Sequence, residues 1–479
     1  MAKVVVIGAG FAGHTAALYL GDALGKKHEI TVINKYEKFV FIPSLVWVGV
    51  GHMDVKKVGF PLKPVYDKMH IRFVHGEARE IHPEENFVMV MPRDGSGDEP
   101  VRVDYDYLVI ATGPYLDFDA TEGLGPKHGA TYSICTPPHA EQARDQYLEV
   151  VERMKKGEKQ RLVIGVGHAL SACHGAAFEY ISNIHKDLVK KGVRDKATLT
   201  FLSNERALGD FGVRGITARR KGKMITSDDF IGAIFREFDI HSELRKAPLK
   251  AEKGCIYWED YDGREGTTEF DFAMLIPLFK GQPLRYIGAD GEDISDKLIS
   301  SNGMVLVDGI YGLPYDTLKE NPDAWPSVYQ NTNFRNIFAA GIAFAPPGSI
   351  SVPHVNPKGR AITASPPRTG MMSGIIGRVV AKNIIDLVER GRMTHHERMS
   401  EMLSVCIASM GDSLWDGLAT VAVIYPVVPD VRKFPNEQGR DLFVTHLETG
   451  LAGAWMKRMI HSTFIHKLQG RVGWKIIPE

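Results

Sequence analysis

Cysteine is scarce in this chain. Four residues in 479, Cys135, Cys173, Cys255 and Cys406, are too few and too widely spaced to staple a secreted scaffold, and no CxxC pair suggests zinc or an iron–sulfur cluster. No metal site is expected, and any function for a thiol is catalytic or redox. Net charge is lacking too: 58 Lys and Arg balance 58 Asp and Glu, which removes the bulk electrostatic case for nucleic acid or an acidic polymer. Long apolar runs are also missing. "FIPSLVWVGVG" and "LATVAVIYPVV" fall short of the roughly 18–20 residues that span a bilayer, and both carry proline. The opening "MAKVVVIGAGFAG" reads as strand plus glycine turn rather than as a signal peptide.

Glycine, by contrast, is placed with meaning. Val4 to Ile7 is an apolar β-branched run of the kind buried on both faces of a parallel sheet. It enters Gly8-Ala9-Gly10-Phe11-Ala12-Gly13, and "HTAALYLGDAL" continues at helical spacing. In such a turn the first glycine makes the bend, the second admits a pyrophosphate to the backbone and the third packs helix on strand. A bound dinucleotide is expected. The second strand, "HEITVINKYEKF", ends in Asn34-Lys35 where an acid is usual; Asn can still hydrogen-bond a ribose diol without charge.

Two later strands close on small residues: "DYDYLVIATGPYLDF" on Ala111-Thr112-Gly113 and "FRNIFAAGIAF" on Gly341, with Ile342 after it. A chain that returns to its first domain after a long insertion resembles the two-dinucleotide-domain flavin reductases, and that resemblance implies FAD rather than NAD in the first domain. A second turn, "RLVIGVGHALSACHGAAFEY", starts well with Gly165 and Gly167 but has Leu170 where a third glycine is needed, then Cys173. An NADH site is therefore not expected there. Taken alone, Cys173 reads as a small buried hydrophobe.

The wider constellation changes that reading. "YSICTPPHA" carries Cys135, "SACHGAAFEY" carries Cys173, "APPRTGMM" follows the second flavin strand and "LSVCIASMGDS" carries Cys406. With the early "FVFIPSLVWVGVG" and "FPLKPVYDK", this pattern resembles sulfide:quinone oxidoreductases over nearly the whole chain. The resemblance implies that Cys173 and Cys406 are the redox pair that carries sulfur, that Cys135 is the cysteine which in some members bonds covalently to the flavin, and that Glu179 is an acid near the sulfur site. Its FAD side takes in Gly8, Gly10, Phe11, Ala12, Gly13, Asn34, Lys35, Ala78, Thr112, Gly113, Gly341, Ile342 and Arg368. Arg368 stands where the family usually has Lys. Cys255 matches no family position. A thiol with an ordinary pKa near 8.5 is only a few per cent ionised at neutral pH, so positive or proton-accepting neighbours are expected around the pair.

Near the C-terminus, "AWMKRMIHSTFIHKLQGRVGW" sets Trp455, Met459, Ile460, Phe464, Ile465 and Leu468 near helical spacing, with Lys457, Arg458, His461 and Lys467 between them. A basic amphipathic helix with aromatics can lie among lipid headgroups. The family resemblance favours that over a core helix, with Trp455, Phe464 and Ile465 at the quinone and membrane side. The expected fold class is α/β: two Rossmann-like dinucleotide-binding domains plus a C-terminal membrane-surface helical region. The expected division is a first FAD half at 1–140, a second Rossmann-like domain at 141–290, a returning FAD segment at 291–390, and a thiol and membrane region at 391–479. "MPRDGSGDEP" reads as a hairpin turn, and "FAPPGSISVPHVNPKGRAITASPPRTG" as a functional excursion. The expected partners are hydrogen sulfide, a membrane quinone and the bilayer surface, with a homo-oligomer admitted and nucleic acid not; the expected localisation is peripheral on a membrane. A type II NADH:quinone dehydrogenase and a flavocytochrome-type sulfide dehydrogenase are the competing readings.

Overall fold

The computed structural model describes residues 1–479 except 96, 98, 221, 414 and 416. The β-branched run Lys3–Ile7 lies in the middle of a sheet whose order is Ile337–Ala339, Tyr107–Ile110, Lys3–Ile7, Glu29–Asn34, Arg72–His82, Phe87–Pro92, Val101–Asp104. The first five of these strands are parallel and the last two are added antiparallel. Strand Ile337–Ala339 thus returns to the first sheet after the long insertion. The hairpin expected in "MPRDGSGDEP" joins the last two strands, though 96 and 98 at its tip lie outside the described residues. The helix Phe11–Leu24 packs against Gly370–Arg390, and the two come close because Gly377 has no side chain: a Cβ there would sit 2.2 Å from the Ala12 carbonyl oxygen.

A second, all-parallel sheet has the order Ile240–Glu243, Ala197–Leu202, Gln160–Val166, Phe272–Ile276. An antiparallel trio, Lys246–Glu252, Cys255–Asp260 and Glu265–Glu269, stands beside it and carries Cys255. Two Rossmann-like sheets are therefore present. The C-terminal region is not simply helical: a three-stranded antiparallel sheet, Ser404–Met410, Leu418–Ile424 and His446–Gly450, precedes the helix Leu451–Leu468. The strand Ser404–Met410 packs against the helix His174–Lys190. No helix among the described residues is long and apolar enough to cross a membrane.

Candidate active site

The first glycine turn has no room for side chains where it bends. Gly8 has φ +99°, and a Cβ on it would lie 2.3 Å from the Ala111 carbonyl oxygen; one on Gly13 would lie 2.0 Å from Gly8's own oxygen. Gly10 is different, with nothing within 4 Å of its Cβ position, so the N-terminus of helix Phe11–Leu24 opens onto free space. That is the arrangement a pyrophosphate needs. Asn34 holds the turn itself: its Oδ1 accepts from the Ala9 N–H at 3.0 Å and its Nδ2 donates to the Tyr36 carbonyl at 2.7 Å. Its amide nitrogen is thus committed to backbone. Lys35 lies over the Tyr36 ring and Ala78 is buried in its strand. Phe11 and Ala12 sit against Gly370 and Gly341, while Gly113, at φ +68°, faces open space beside Thr112.

Across from this turn runs a cleft lined by Gly341, Ile342, Phe344, Arg368, Thr369 and Met372. The Arg368 guanidinium donates only to the Phe344 carbonyl at 3.3 Å and to Met304 Sδ at 3.4 Å, and among the described residues no carboxylate is bonded to it. Burial brings its pKa down to about 10, against the pull of Cys173. Thr369, at the N-terminus of the 21-residue helix Gly370–Arg390, keeps a buried hydroxyl without a partner. An open helix end, an uncompensated cation and an unpartnered hydroxyl suit an anionic, hydrogen-bonding cofactor such as FAD.

The second glycine turn is not a cradle of the same kind. Its strand ends at Val166 but its helix starts only at His174, so Leu170, expected to obstruct helix–strand packing, instead sits half-exposed in the intervening loop. Gly167 is small because a Cβ would meet the Leu124 side chain at 2.6 Å. Cys173 is the helix N-cap, at φ +66°, a left-handed conformation that non-glycine residues seldom adopt.

Cys135, Cys173 and Cys406 are half-buried free thiols brought together from three distant segments. Burial, with the neighbouring Cys135 and Cys406, pushes the Cys173 thiol up to about 12, while Arg368 opposes the rise. Burial likewise raises Cys135 to about 11, tempered by Ser133, whose Oγ accepts the Cys135 N–H at 3.1 Å. Cys406 is raised by burial, lowered by Lys457 and raised by Glu179. Each thiol of the expected pair thus has one cation beside it: Arg368 for Cys173 and Lys457 for Cys406. Gly175 lets the strand Ser404–Met410 approach, since a Cβ there would stand 3.4 Å from Cys406 Sγ.

Glu179 neither caps its helix nor faces solvent. One of its oxygens accepts from the Ser409 N–H at 3.1 Å and hydroxyl at 2.5 Å, the other from Lys457 Nζ at 3.0 Å, and Lys457 also donates to the Ile407 carbonyl. The expectation for the C-terminal helix needs correcting here. Lys457 and Lys467, expected to face headgroups, point inward, 7 % and 1 % exposed, and pair with Glu179 and Glu479. Arg458 donates to the Asp412 carbonyl, and His461 Nδ1 lies 2.8 Å from Ser44 Oγ. The apolar set also divides. Leu468 is buried, Ile460, Phe464 and Ile465 are half-buried, and the Phe464 ring centroid stands 6.2 Å from that of Phe41, whereas Trp455 and Met459 are 51 % and 59 % exposed. Sequence reasoning missed Lys457 as a site residue, and Phe41 and Trp47 as the aromatic partners of His461. The only signal for Phe41 and Trp47 was the apolar run that holds them.

Comparison with known proteins agrees with this geometry. The family model described as pyridine nucleotide-disulphide oxidoreductase matches residues 2–178. The sulfide-quinone reductase of Aquifex aeolicus is 29 % identical over 92 % of this chain and 87 % of its own length. The solved structure of the sulfide:quinone oxidoreductase from that bacterium superposes with a TM-score of 0.76 at 27 % identity, covering 98 % of this chain and 92 % of the other. This chain is similar to sulfide:quinone oxidoreductases along nearly its whole length. The mitochondrial sulfide:quinone oxidoreductase of Dictyostelium discoideum is 28 % identical over 42 % of each chain. The NDH2 structure from Plasmodium falciparum, solved with NADH, has a TM-score of 0.65 at 11 % identity over 99 % of this chain and 97 % of the other, a likeness of fold alone. The sulfide:quinone oxidoreductase likeness therefore runs through both Rossmann-like sheets and the C-terminal region.

Proposed function

We propose that this chain is an FAD-dependent sulfide:quinone oxidoreductase that works at a membrane surface. The observation that carries the reading is the convergence of Cys135, Cys173 and Cys406 on one site, with a cation beside each of the latter two. Gly8 to Gly13, Gly113, Gly341 and Arg368 would hold FAD, which when bound supplies the two-electron acceptor. Hydrosulfide attacks one sulfur of a Cys173–Cys406 disulfide; the S–S bond breaks, the attacked cysteine becomes a persulfide and the other leaves as a thiolate. Arg368 and Lys457 favour a thiolate on either side, which thiols raised by burial require. Glu179 keeps Lys457 in place and is positioned to exchange a proton near Cys406. Cys135 is the residue for a covalent link to the flavin. Trp455 and Met459, with Val472 and Ile476 at 93 % and 87 % exposure, supply an apolar surface for lipid, and Phe464 and Ile465 the inner side, toward Phe41, by which a quinone approaches.

The test is anaerobic. Sulfide should bleach the flavin of the purified protein and NADH should not. Cys173→Ser and Cys406→Ser should each lower the sulfide rate by about 1000-fold or more, since the pair acts as a unit, while Cys255→Ser changes little. Near wild-type bleaching in either of the first two variants overturns the mechanism. Denatured wild type that releases all its FAD overturns the Cys135 link alone.

A further inference from the structure

A second group of titratable side chains adjoins Cys173 and takes no part in the chemistry above. His174 is 1 % exposed, and its Nε2 lies 2.6 Å from Asn204 Oδ1, an acceptor, so the proton of the neutral ring is on Nε2. Its Nδ1 is left buried, without a partner and able to take a proton. The Asn204 amide in turn donates to the carbonyls of Ala169 at 2.8 Å, Ser171 at 3.3 Å and Thr363 at 3.2 Å. His174 and Asn204 therefore hold the loop that sets Cys173 in its left-handed conformation. Two buried carboxyls complete the group. Asp210 accepts from the Ser351 hydroxyl and from the Gly212 N–H at 3.1 Å, and Glu205 accepts from the Phe211 N–H and the Ser203 hydroxyl, each at 2.8 Å.

Charge in this region does not balance. Asp210 interacts with both His174 and Glu205, and Glu205 also faces Asp228. The fully buried cation that feels Asp210 is Arg440, whose guanidinium is bonded to backbone carbonyls of Val213, Gly215, Pro426 and Val427 rather than to a carboxylate; Arg214 faces it. Tyr261 faces Asp210 and Glu205 and has Arg206 and Arg245 near it, and Cys173 itself faces Arg368, Cys135 and Cys406. One buried cation cannot offset two buried carboxylates, so the group retains a proton. Burial accordingly pushes Glu205 up to about 7, raises Asp210 and lowers His174.

We propose that His174, Asp210 and Glu205 form a proton-holding, positioning cluster for Cys173, taking up one proton as negative charge forms on that sulfur. One proton leaves the thiol and one enters the cluster, directly or through solvent, and no electron moves. The role in turnover rests on the sulfide-oxidising reading; the coupling to the thiol does not. It is tested on the FAD-loaded protein, its cysteines first reduced to free thiols, by iodoacetamide alkylation of Cys173, read by peptide mass spectrometry across about pH 5 to 10, beside the pH profile of sulfide-driven bleaching of the untreated protein. In wild type, the rise of the alkylation rate should flatten near the point where the cluster loses its proton. Glu205→Gln should remove that bend and raise the alkylation rate at about pH 8 by about threefold or more. His174→Asn should shift the same bend, and it decides the matter if Glu205→Gln does not fold. Variants that keep their flavin and whose profiles superimpose on wild type overturn the proposal. Wild-type flavin that sulfide never bleaches overturns the function instead, while the alkylation profile still decides the cluster.

Discussion

The two glycine turns begin alike and end as different devices. In the first, the strand ends at Ile7 and the helix starts at Phe11; in the second, the strand ends at Val166 and the helix waits until His174. The short turn forces backbone against backbone, which is why Gly8 and Gly13 tolerate no Cβ, and it leaves the helix end open at Gly10. The long turn relaxes that demand only beyond the strand: at the strand's end a Cβ on Gly165 would still lie 1.8 Å from the Leu202 carbonyl oxygen. Gly167 yields only to a leucine side chain, and the N-cap is a cysteine. A helix N-terminus favours negative charge in either case. The length of the turn decides what stands at the helix end: open space at Gly10 in the first, the chain's own Cys173 in the second.

The comparison can be broken in order of effect. Gly13→Ala drives a Cβ into Gly8's carbonyl, so the protein should lose about 3 kcal/mol or more and its flavin absorbance, whereas Gly167→Ala meets the side chain of a buried leucine rather than backbone and should cost about 1 kcal/mol by denaturant melts. Equal losses would mean that the two turns are not different devices. Lys457→Met leaves Glu179 buried and unpaired, and should cost about 3 kcal/mol while moving Cys406 ionisation to higher pH; adding Glu179→Gln should restore most of the stability, and a double variant as weak as the single one would contradict the pairing. The third effect is a pH dependence. Glu205 is raised from an ordinary 4.5 to about 7, so the native state keeps a proton that the unfolded chain gives up, and stability falls as pH rises through that window and levels off above it. Glu205→Gln should flatten the fall, gaining about 2 kcal/mol on wild type between about pH 5 and about pH 8 in urea midpoints. The smallest effect is expected of Leu170→Gly, which restores the third glycine in sequence but not the short turn. NADH should still fail to bleach the flavin, and bleaching by NADH would show that side-chain bulk rather than turn length had excluded it.

Legibility followed the range of the interactions. The strand Lys3–Ile7, the Gly8–Gly13 turn and the return of Ile337–Ala339 were readable because hydrophobic runs and glycine requirements act over a few residues. The cysteines were readable as a set through resemblance, not through any local pattern. The inward lysines were not. Alternation of Lys with Trp and Met along Leu451–Leu468 describes a headgroup-facing helix equally well, and nothing near Lys457 in the chain announces a carboxylate.

Alone, the sequence determined which segments must be strands, where the backbone must bend without a side chain, and that no span was long and apolar enough to cross a bilayer. These are properties of short stretches meeting water or apolar surroundings. Only the tertiary structure decided that Arg368 stands by Cys173, that Lys457 turns from solvent to Glu179, 278 residues away in the chain, and that His174, Asp210 and Glu205 share one buried region. The reason is electrostatic. A charge is stable in the interior only if a partner is delivered to it, and delivery depends on how distant segments pack rather than on the residues that flank the charge.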